Sequence, residues 1–448
     1  MRIAHVIHTF PPFSRAGSEN YTEALATRQG VQHEVAVFHR IGDPERPEYE
    51  VTEDRVGELA VTRVNRTFRD VTSFEDTYAC AGVEAAFDAF LERFAPDVVH
   101  FHHTTCLSLG CVDVAKDRGI AVVYTLHDFW LICQRGQLLR RDLSLCRSHD
   151  PADCVRCLAY HLPIEGGHER IHALWERAES LRLYPLPDAI HRRLASRPFA
   201  QETESVRAVE ARDRRVREML ARVDLCIAPS HFLGRQYVDF GVAKERMVTS
   251  DYGFDLRPWS QPVERTTSDR LRVAYLGTWI PSKGVHVLIE AFRDLDPDRA
   301  RLDVHGYAVP FDGVEGYEEQ LRELAGDATH IHFRSPYEPE AVPRLLADAD
   351  VLVVPSIWYE NSPLTIHEAY LSGIPVVASD HGGMRELVPH GRSGLTFRPG
   401  NPRSLRHALQ RLIDDPALLP RLADGIPQIK SIEANTEEID ALYSSLLS

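Results

Sequence analysis

The sequence lacks any apolar run that approaches the roughly 20 residues needed to span a bilayer. Its first residues, MRIAHVIHTF, carry a single arginine and a short apolar stretch that alternates with histidine. That pattern is typical of a first β-strand rather than of a signal peptide. Short-period repeats and low-complexity tracts are also missing. We therefore expect a globular protein with no transmembrane segment and a cytoplasmic location.

Positive charge is in short supply: 51 Lys and Arg residues stand against 66 Asp and Glu, a net charge of −15. Such a field repels polyphosphate backbones, so nucleic acid is not expected as a partner. One basic stretch does occur at residues 207–222, RAVEARDRRVREMLAR, where acidic residues interleave with the arginines. This pattern favours a solvated helix over a peripheral membrane contact.

The 448 residues are enough for two sizeable domains. In the first half, predicted strands alternate with helices that begin near Ser18 and over residues 83–94. An Arg- and Glu-rich, strand-poor region at about 160–222 predicts a helical insertion. The predicted strands are RIAHVIH, HEVAVFH, DVVHFH, AVVYTLH and VDLCIAP.

The strand–loop–helix pattern restarts after a polar linker at residues 258–270. Alternation of strands and helices predicts an α/β fold with parallel sheets that are covered on both faces. We therefore predict two doubly wound, Rossmann-like domains, 1–257 and 271–428, facing each other across a cleft. The strands predicted in the second domain are LRVAYLG, LDVHG, VLVVPS and PVVAS.

The most informative segment is PSIWYENSPLTIHEAYLSGIPVVAS, residues 355–379. Ser362 is the predicted N-cap of a helix, and Pro363 is its predicted first residue. Gly373 predicts the end of that helix. The buried strand PVVAS follows.

Two glutamates flank this predicted helix start. Glu360 precedes the helix, and Glu368 lies about a turn and a half inside it. The N–H groups of Asn361, Ser362 and Leu364 turn the positive end of the helix dipole towards the loop. Such a site binds anions and is well suited to a diphosphate.

The spaced pair E-x-x-P-L-x-x-x-E resembles the signature of the retaining GT-B glycosyltransferases of family four, and the resemblance covers nearly the whole chain. It implies transfer of a sugar from a nucleoside diphosphate donor with retention at the anomeric carbon. It also implies that the last helix, 429–448, crosses back onto the first domain. No catalytic divalent metal is expected, because a helix terminus and a lysine stabilise the leaving diphosphate.

The resemblance also assigns roles to particular residues. His127, in TLHDFW, and Glu360 match the family positions at the transferred sugar, and His127 contacts the phosphate as well. Glu368 matches the position that binds the ribose hydroxyls. Thr278 stands where the family has an arginine, so one expected phosphate cation is missing. The remaining donor-binding residues are Gly17, Thr278, Lys283, Gly306, Tyr337, Asn361, Ser362 and Leu364.

Four of the eight cysteines, Cys133, Cys146, Cys154 and Cys157, crowd into a short segment with the spacing C-x12-C-x7-C-x2-C. The terminal C-x2-C is a zinc-knuckle spacing, and four thiolates complete a closed tetrahedral site. Persistent disulfides are not expected in a cytosolic chain. We predict one structural zinc ion; the alternative is a set of unrelated thiols.

Two other classes of function remain open at this point. An epimerase or phosphorylase acting on a nucleotide-sugar would use the same fold, because fold alone does not settle chemistry. A non-catalytic nucleotide-sugar-binding scaffold is the second alternative. The residues do not identify the acceptor, the base or the sugar.

Overall fold

The computed structural model describes residues 1–158, 204–261, 263–265, 267–311, 314 and 316–448. These residues form two compact units. Unit 1 comprises Met1–Ile227, Gln236–Val248 and Ile439–Ser448, and unit 2 comprises Ala228–Arg235 and Thr249–Glu438. Most of the predicted helical insertion, 159–203, lies outside the described residues.

Unit 1 is built on an eight-stranded sheet with the order β3-β4-β2-β1-β5-β6-β7-β8. The pairs β1–β2, β1–β5, β5–β6 and β6–β7 are parallel, and β3–β4 is an antiparallel hairpin. The strands are β1 Arg2–Ile7, β2 Glu34–Ile41, β3 Val51–Val56, β4 Leu59–Asn65, β5 Val98–Phe101, β6 Ala121–Thr125, β7 Leu225–Ala228 and β8 Met247–Thr249. The helices are α1 Gly17–Gln29, α2 Ala81–Phe94, α3 Gly110–Asp117, α4 Pro151–Leu158 and α5 Glu204–Arg222.

Unit 2 is built on a six-stranded, wholly parallel sheet with the order β11-β10-β9-β12-β13-β14. The strands are β9 Leu271–Leu276, β10 Ala300–His305, β11 Ile331–Arg334, β12 Val351–Val354, β13 Val376–Ser379 and β14 Gly394–Phe397. The helices, after α6 His231–Phe240, are α7 Val285–Arg293, α8 Tyr317–Ala325, α9 Val342–Ala347, α10 Leu364–Leu371, α11 Gly382–Leu387, α12 Pro402–Asp414, α13 Leu418–Ala423 and α14 Ile432–Leu447. Residues of α6 and α14 are divided between the units.

The prediction of two doubly wound, parallel-sheet domains is confirmed. The fully buried runs VLVV of β12 and VVAS of β13 are interior strands of the second sheet, as is typical of continuous apolar strands in parallel sheets. The hairpin β3–β4 was not predicted, because the residues of β3, VTEDRV, are mostly exposed and charged. A helix long and apolar enough to cross a membrane does not occur in the described residues.

The arginine-rich segment forms α5, which packs within unit 1 through one buried face. Val209, Val216 and Met219 are buried at helical spacing. Arg212 is also buried and donates to the carbonyl of Trp130 at 2.6 Å. The helix is therefore solvated on one face and packed on the other.

Candidate active site

The sheet order of unit 2 reverses between β9 and β12. Ligands of open α/β sheets bind outside the carboxyl ends of the strands at such a switch point. Residues 277–284 follow β9, and residues 355–363 follow β12. The two loops predicted to hold the diphosphate therefore lie side by side for a structural reason.

Glu360 is the centre of this loop pair. Its Oε1 accepts from Lys283 Nζ at 2.6 Å, from Ser356 Oγ at 2.7 Å and from Trp358 Nε1 at 3.0 Å. The carboxylate is almost fully buried, whereas a third of the Lys283 side chain is exposed. The ammonium group also lies 5.6 Å from the centroid of the Trp358 ring. These contacts fix the Glu360 carboxylate and leave Lys283 at the solvent edge.

Two glycines hold the loop from behind. A Cβ on Gly383 would lie 1.5 Å from the carbonyl oxygen of Asn361, and one on Gly382 would lie 2.7 Å from that of Glu360. The Gly383 N–H donates to the Glu360 carbonyl at 2.8 Å. On the other side, Ser230 Oγ donates to Asn361 Oδ1 at 2.6 Å. The loop is thus built on a backbone contact that any side chain would break.

The helix that was predicted to begin at Pro363 begins one residue later in the structure, so the predicted start is wrong. Helix α10 begins at Leu364, and Pro363 is its N-cap, with extended backbone angles of φ −60° and ψ 120°. The Ser362 hydroxyl does not cap the helix; it donates to Asp251 Oδ1 at 2.6 Å. The ionised carboxylate is a stronger acceptor than a neutral group, so this hydroxyl takes a tertiary partner rather than a local one.

Asp251 organises this end of the helix. Besides Ser362 it accepts from His367 Nε2 at 2.9 Å. Burial opposes the ionisation of Asp251, but the charge and hydrogen bond of His367 and the hydrogen bond of Ser362 hold its pKa below the usual value. The backbone N–H groups of Ser362 and Leu364 therefore keep a fixed position beside Glu360.

Glu368 lies on α10 in a different environment from Glu360. Burial raises its pKa to about 7, and His367 offsets part of that rise. Among the described residues its carboxyl group has no hydrogen-bond partner. The pKa of the nearby Tyr337 phenol is raised mainly by burial and further by the negative charge of Glu368. Glu368 is thus a carboxyl group poised to ionise near neutral pH.

Thr278, Gly306 and Tyr337, which were predicted to bind the donor, follow the ends of β9, β10 and β11, respectively. The Tyr337 ring meets the His305 ring edge-on at 6.3 Å. A Cβ on Gly306 would lie 2.0 Å from the Gly277 carbonyl oxygen, so glycine lets these two strand ends approach. Thr278 is half-buried, and its carbonyl accepts from Tyr275 at 2.8 Å.

In unit 1, His127 belongs to a row of histidines. Its Nε2 lies 3.1 Å from Nδ1 of His102, whose Nε2 lies 2.9 Å from Nδ1 of His5. Burial lowers the pKa of His127 to about 3 and that of His5 to about 4. The pKa of His102 is also lowered by burial. The three rings are therefore neutral near pH 7.

Gly17 is the exposed first residue of α1. Tyr21, one turn further along this helix, has its ring centroid 5.8 Å from that of His127. Next to His127, Asp128 accepts from His103 Nε2 at 3.1 Å. This contact holds the His103 ring in place.

The four cysteines of the predicted zinc site are free and half-buried. Burial raises the pKa of Cys154 to about 12, and the thiols of Cys133, Cys146 and Cys157 raise it further. Burial, with Cys133 and Cys146, raises the pKa of Cys157 to about 11, and the charge of Arg135 opposes that rise. Four thiols are a donor set that zinc prefers. In this structure no three of these sulfur atoms, all of which belong to described residues, lie within 4.8 Å of one another, so the zinc site stays a prediction.

In the described part of the chain, one set of metal-binding side chains has all its ligand atoms within 4.8 Å of one another, and it consists of His5, His100 and His102. Both ring nitrogens of His100 already have partners, Tyr443 at 2.5 Å and Thr125 at 2.7 Å. Sequence reasoning missed this histidine cluster. The repeated histidines of HVIH at the end of β1 and of HFHH at the end of β5 were the available signal.

Comparison with known families supports a common assignment for both halves of the chain. Residues 15–162 match the family described as Glycosyltransferase Family 4, and residues 270–415 match the family described as Glycosyl transferases group 1. The first matched segment contains His127, and the second contains Lys283 and Glu360.

Among curated proteins, the chain is 34% identical over 188 residues to the MMP alpha-(1->4)-mannosyltransferase of Mycolicibacterium hassiacum, covering 42% of this chain and 44% of that protein. It is 28% identical over 221 residues to the D-inositol 3-phosphate glycosyltransferase of Corynebacterium urealyticum, covering 45% of this chain and 52% of that protein. The chain thus spans about half the length of the curated relatives it matches.

Among solved structures, sucrose-phosphate synthase from Thermosynechococcus elongatus superposes with a TM-score of 0.67 at 19% identity, covering 99% of this chain and 98% of that one. HepE of Anabaena in complex with UDP-glucose gives a TM-score of 0.64 at 17% identity, covering 99% of this chain and 100% of the other. At these identities the likeness describes the fold alone.

Proposed function

Because the chain belongs to the GT-B glycosyltransferases whose family models match both of its halves, we propose that it transfers a sugar from a nucleoside diphosphate sugar to an acceptor, with retention of the anomeric configuration. The observation that carries the proposal is the contact of Lys283 with Glu360 at the switch point of the second sheet. A cation, a fixed carboxylate and a helix N-terminus meet there, which suits a donor with a diphosphate and a polyhydroxylated sugar.

The proposed roles are those that the family resemblance implies, and the charges and contacts of these residues are consistent with them. Lys283 and the N–H groups of Ser362 and Leu364 stabilise the charge that develops on the leaving diphosphate. Glu360 accepts hydrogen bonds from the transferred sugar, and His127 contacts the same sugar. Glu368 accepts from the two ribose hydroxyls, for which an ionised carboxylate has enough lone pairs. The acceptor hydroxyl attacks the anomeric carbon on the face that the diphosphate leaves. The leaving phosphate assists this attack by taking the proton of the hydroxyl.

We also propose a structural role for zinc at Cys133, Cys146, Cys154 and Cys157. Bound there, a closed four-thiolate zinc stabilises the loop that follows His127 and supplies no catalytic position. We propose further that the transfer needs no catalytic divalent cation, because Lys283 and the N–H groups of α10 supply the positive charge.

The test is calorimetric titration with UDP, GDP and ADP, followed by incubation of the matching nucleotide-sugar with and without candidate sugar and lipid acceptors. The proposal expects binding of one nucleoside diphosphate and release of it only when an acceptor is present. Conversion of the donor sugar without an acceptor would indicate an epimerase, and a requirement for inorganic phosphate would indicate a phosphorylase. Tight binding with no turnover across the acceptors would indicate a binding scaffold. The anomeric coupling constant of the product, measured by NMR, tests retention.

A further inference from the structure

A continuous line of hydrogen bonds connects His127 to Asp440 inside unit 1. Beyond His102 and His5 it continues from His5 Nε2 to Gln29 Oε1 at 2.8 Å, and from Gln29 Nε2 to Asp440 Oδ1 at 2.6 Å. His5, His102 and Gln29 are fully buried. The line therefore joins a predicted catalytic residue to the last helix, α14, through side chains that are shielded from solvent.

Asp440, at the end farthest from His127, determines which group donates and which accepts in every hydrogen bond of this line. The Asp440 carboxylate only accepts, so Gln29 must offer it an N–H and turn its amide oxygen towards His5. That oxygen also only accepts, so the proton of neutral His5 lies on Nε2, and His5 Nδ1 is an acceptor. A neutral imidazole has one donor and one acceptor nitrogen.

The same reasoning passes through the next two rings. Because His5 Nδ1 is an acceptor, His102 donates to it from Nε2–H and keeps its lone pair on Nδ1. His127 then donates to that lone pair from its own Nε2–H. In the neutral ring this leaves Nδ1 of His127 as the acceptor atom.

We propose that Asp440 is a positioning residue that holds His127 in the Nε2–H tautomer, acting through Gln29, His5 and His102. In this tautomer His127 accepts a hydrogen bond from a hydroxyl at Nδ1 and cannot donate one to a phosphate oxygen from that atom. The inference that this hydroxyl belongs to the transferred sugar rests on the proposed function; the tautomer itself does not. A carboxylate that fixes the tautomer of a histidine is a known device in catalysis.

Long-range ¹H–¹⁵N correlation spectra of the full chain, labelled with ¹⁵N-histidine, report which ring nitrogen of each histidine carries the proton. The signal that disappears in His127→Gln identifies His127. We expect His127 to be protonated at Nε2 in the unsubstituted chain. Gln29→Lys places a donor-only group against His5, so the line should reverse and the His127 proton should move to Nδ1. Asp440→Ala frees the Gln29 amide to rotate, so both tautomers should appear.

His33→Gln is the matched control. His33 contacts the other oxygen of Asp440, Oδ2, at 3.1 Å and lies outside the line, so its replacement should leave His127 protonated at Nε2. A proton on Nδ1 in the unsubstituted chain would overturn the proposal. So would an unchanged tautomer in folded Asp440→Ala, with folding judged by circular dichroism, even where Gln29→Lys does not fold.

These spectra need no donor or acceptor, so they separate the tautomer from the enzymatic role. A tautomer that switches while the rate of sugar transfer stays unchanged would support the positioning role of Asp440 and contradict the role of His127 in transfer. A tautomer that does not switch while transfer is lost would contradict the positioning role and leave the proposed function standing.

Discussion

The ammonium group of Lys283 lies 2.6 Å from Oε1 of Glu360, so two residues predicted for separate tasks form one ion pair. A third of the lysine side chain is exposed to solvent, whereas the carboxylate is buried and held by two further donors. A diphosphate that approaches the loop therefore competes with Glu360 for the lysine. The more mobile partner is expected to move, and the carboxylate is expected to stay in place.

Replacement of Lys283 tests the diphosphate contact. Lys283→Ala should weaken binding of the free nucleoside diphosphate by about 2 kcal/mol, the scale of a charge-assisted hydrogen bond. Isothermal titration calorimetry is the measurement. Lys116→Ala is the matched control, because Lys116 forms a comparable ion pair with Asp224 at 2.7 Å in unit 1. Equal affinities in the native chain and Lys283→Ala would assign Lys283 a purely structural role.

Glu360→Gln should separate binding from turnover. The substitution keeps the shape of the side chain but releases the charge that holds Lys283, so affinity for the free diphosphate should stay equal or rise. Turnover should fall by at least tenfold, about 1.4 kcal/mol, since the acceptor for the sugar is weakened. Steady-state kinetics beside calorimetry decide it. A parallel loss of diphosphate affinity would show that Glu360 does not compete for the lysine.

The raised pKa of Glu368, about 7, predicts that the stability of the protein depends on pH. Since the folded-state pKa exceeds the unfolded value of 4.5, the stability that this group contributes is complete below about pH 4.5 and is lost as the pH rises through about 7. The free energy of unfolding of Glu368→Gln, relative to that of the native chain, should therefore rise by on the order of 1 kcal/mol between about pH 6 and about pH 8. Urea unfolding at the two pH values measures this.

Donor affinity should change with pH in the opposite direction. Ribose hydroxyls donate to an ionised carboxylate, so binding should tighten as the pH rises through about 7 in the native chain and remain nearly flat in Glu368→Gln. Parallel pH profiles of donor affinity for both proteins would show that another group titrates.

Zinc content tests the cysteine cluster. Cys157→Ser should lower the zinc bound per chain and the melting temperature, with activity falling as a secondary effect, because metal binding contributes folding free energy. The control is Cys106→Ser, which replaces a half-buried cysteine outside the cluster. Elemental analysis of protein purified without added zinc is the measurement. Metal-free, folded protein with four reactive thiols in this segment would rule the site out.

The strand runs and the loop after β12 were predictable because they depend on local sequence. Continuous apolar stretches such as VLVV form buried strands wherever they lie in a parallel sheet. The contact of Lys283 with Glu360 spans 77 residues, and that of Ser362 with Asp251 spans 111. No local pattern reports such pairs. Ser362 shows the consequence: its propensity to cap a helix was real, and a distant carboxylate outcompeted it.

The line of hydrogen bonds from His127 to Asp440 could not be predicted from the sequence for the same reason, because Gln29 and Asp440 are 411 residues apart. The histidines themselves were visible in the sequence, but their order in space depends on the pairing of β1 with β5. The register of that pairing sets His5 beside His100 and leaves His102 at the strand end. Chemistry-bearing residues can be found from sequence, whereas the direction of their hydrogen bonds needs the fold.

The contact of Gly383 with the backbone of Asn361 limits how this protein can be re-engineered. The loop of residues 355–363 and the glycine pair behind it must fit each other, because there is no room for a side chain between them. A designer who exchanges residues 355–363 for those of a relative must therefore transplant residues 382–383 with them. Libraries that randomise the loop alone and keep both glycines should yield folded variants, whereas libraries that randomise either glycine should yield mostly misfolded ones.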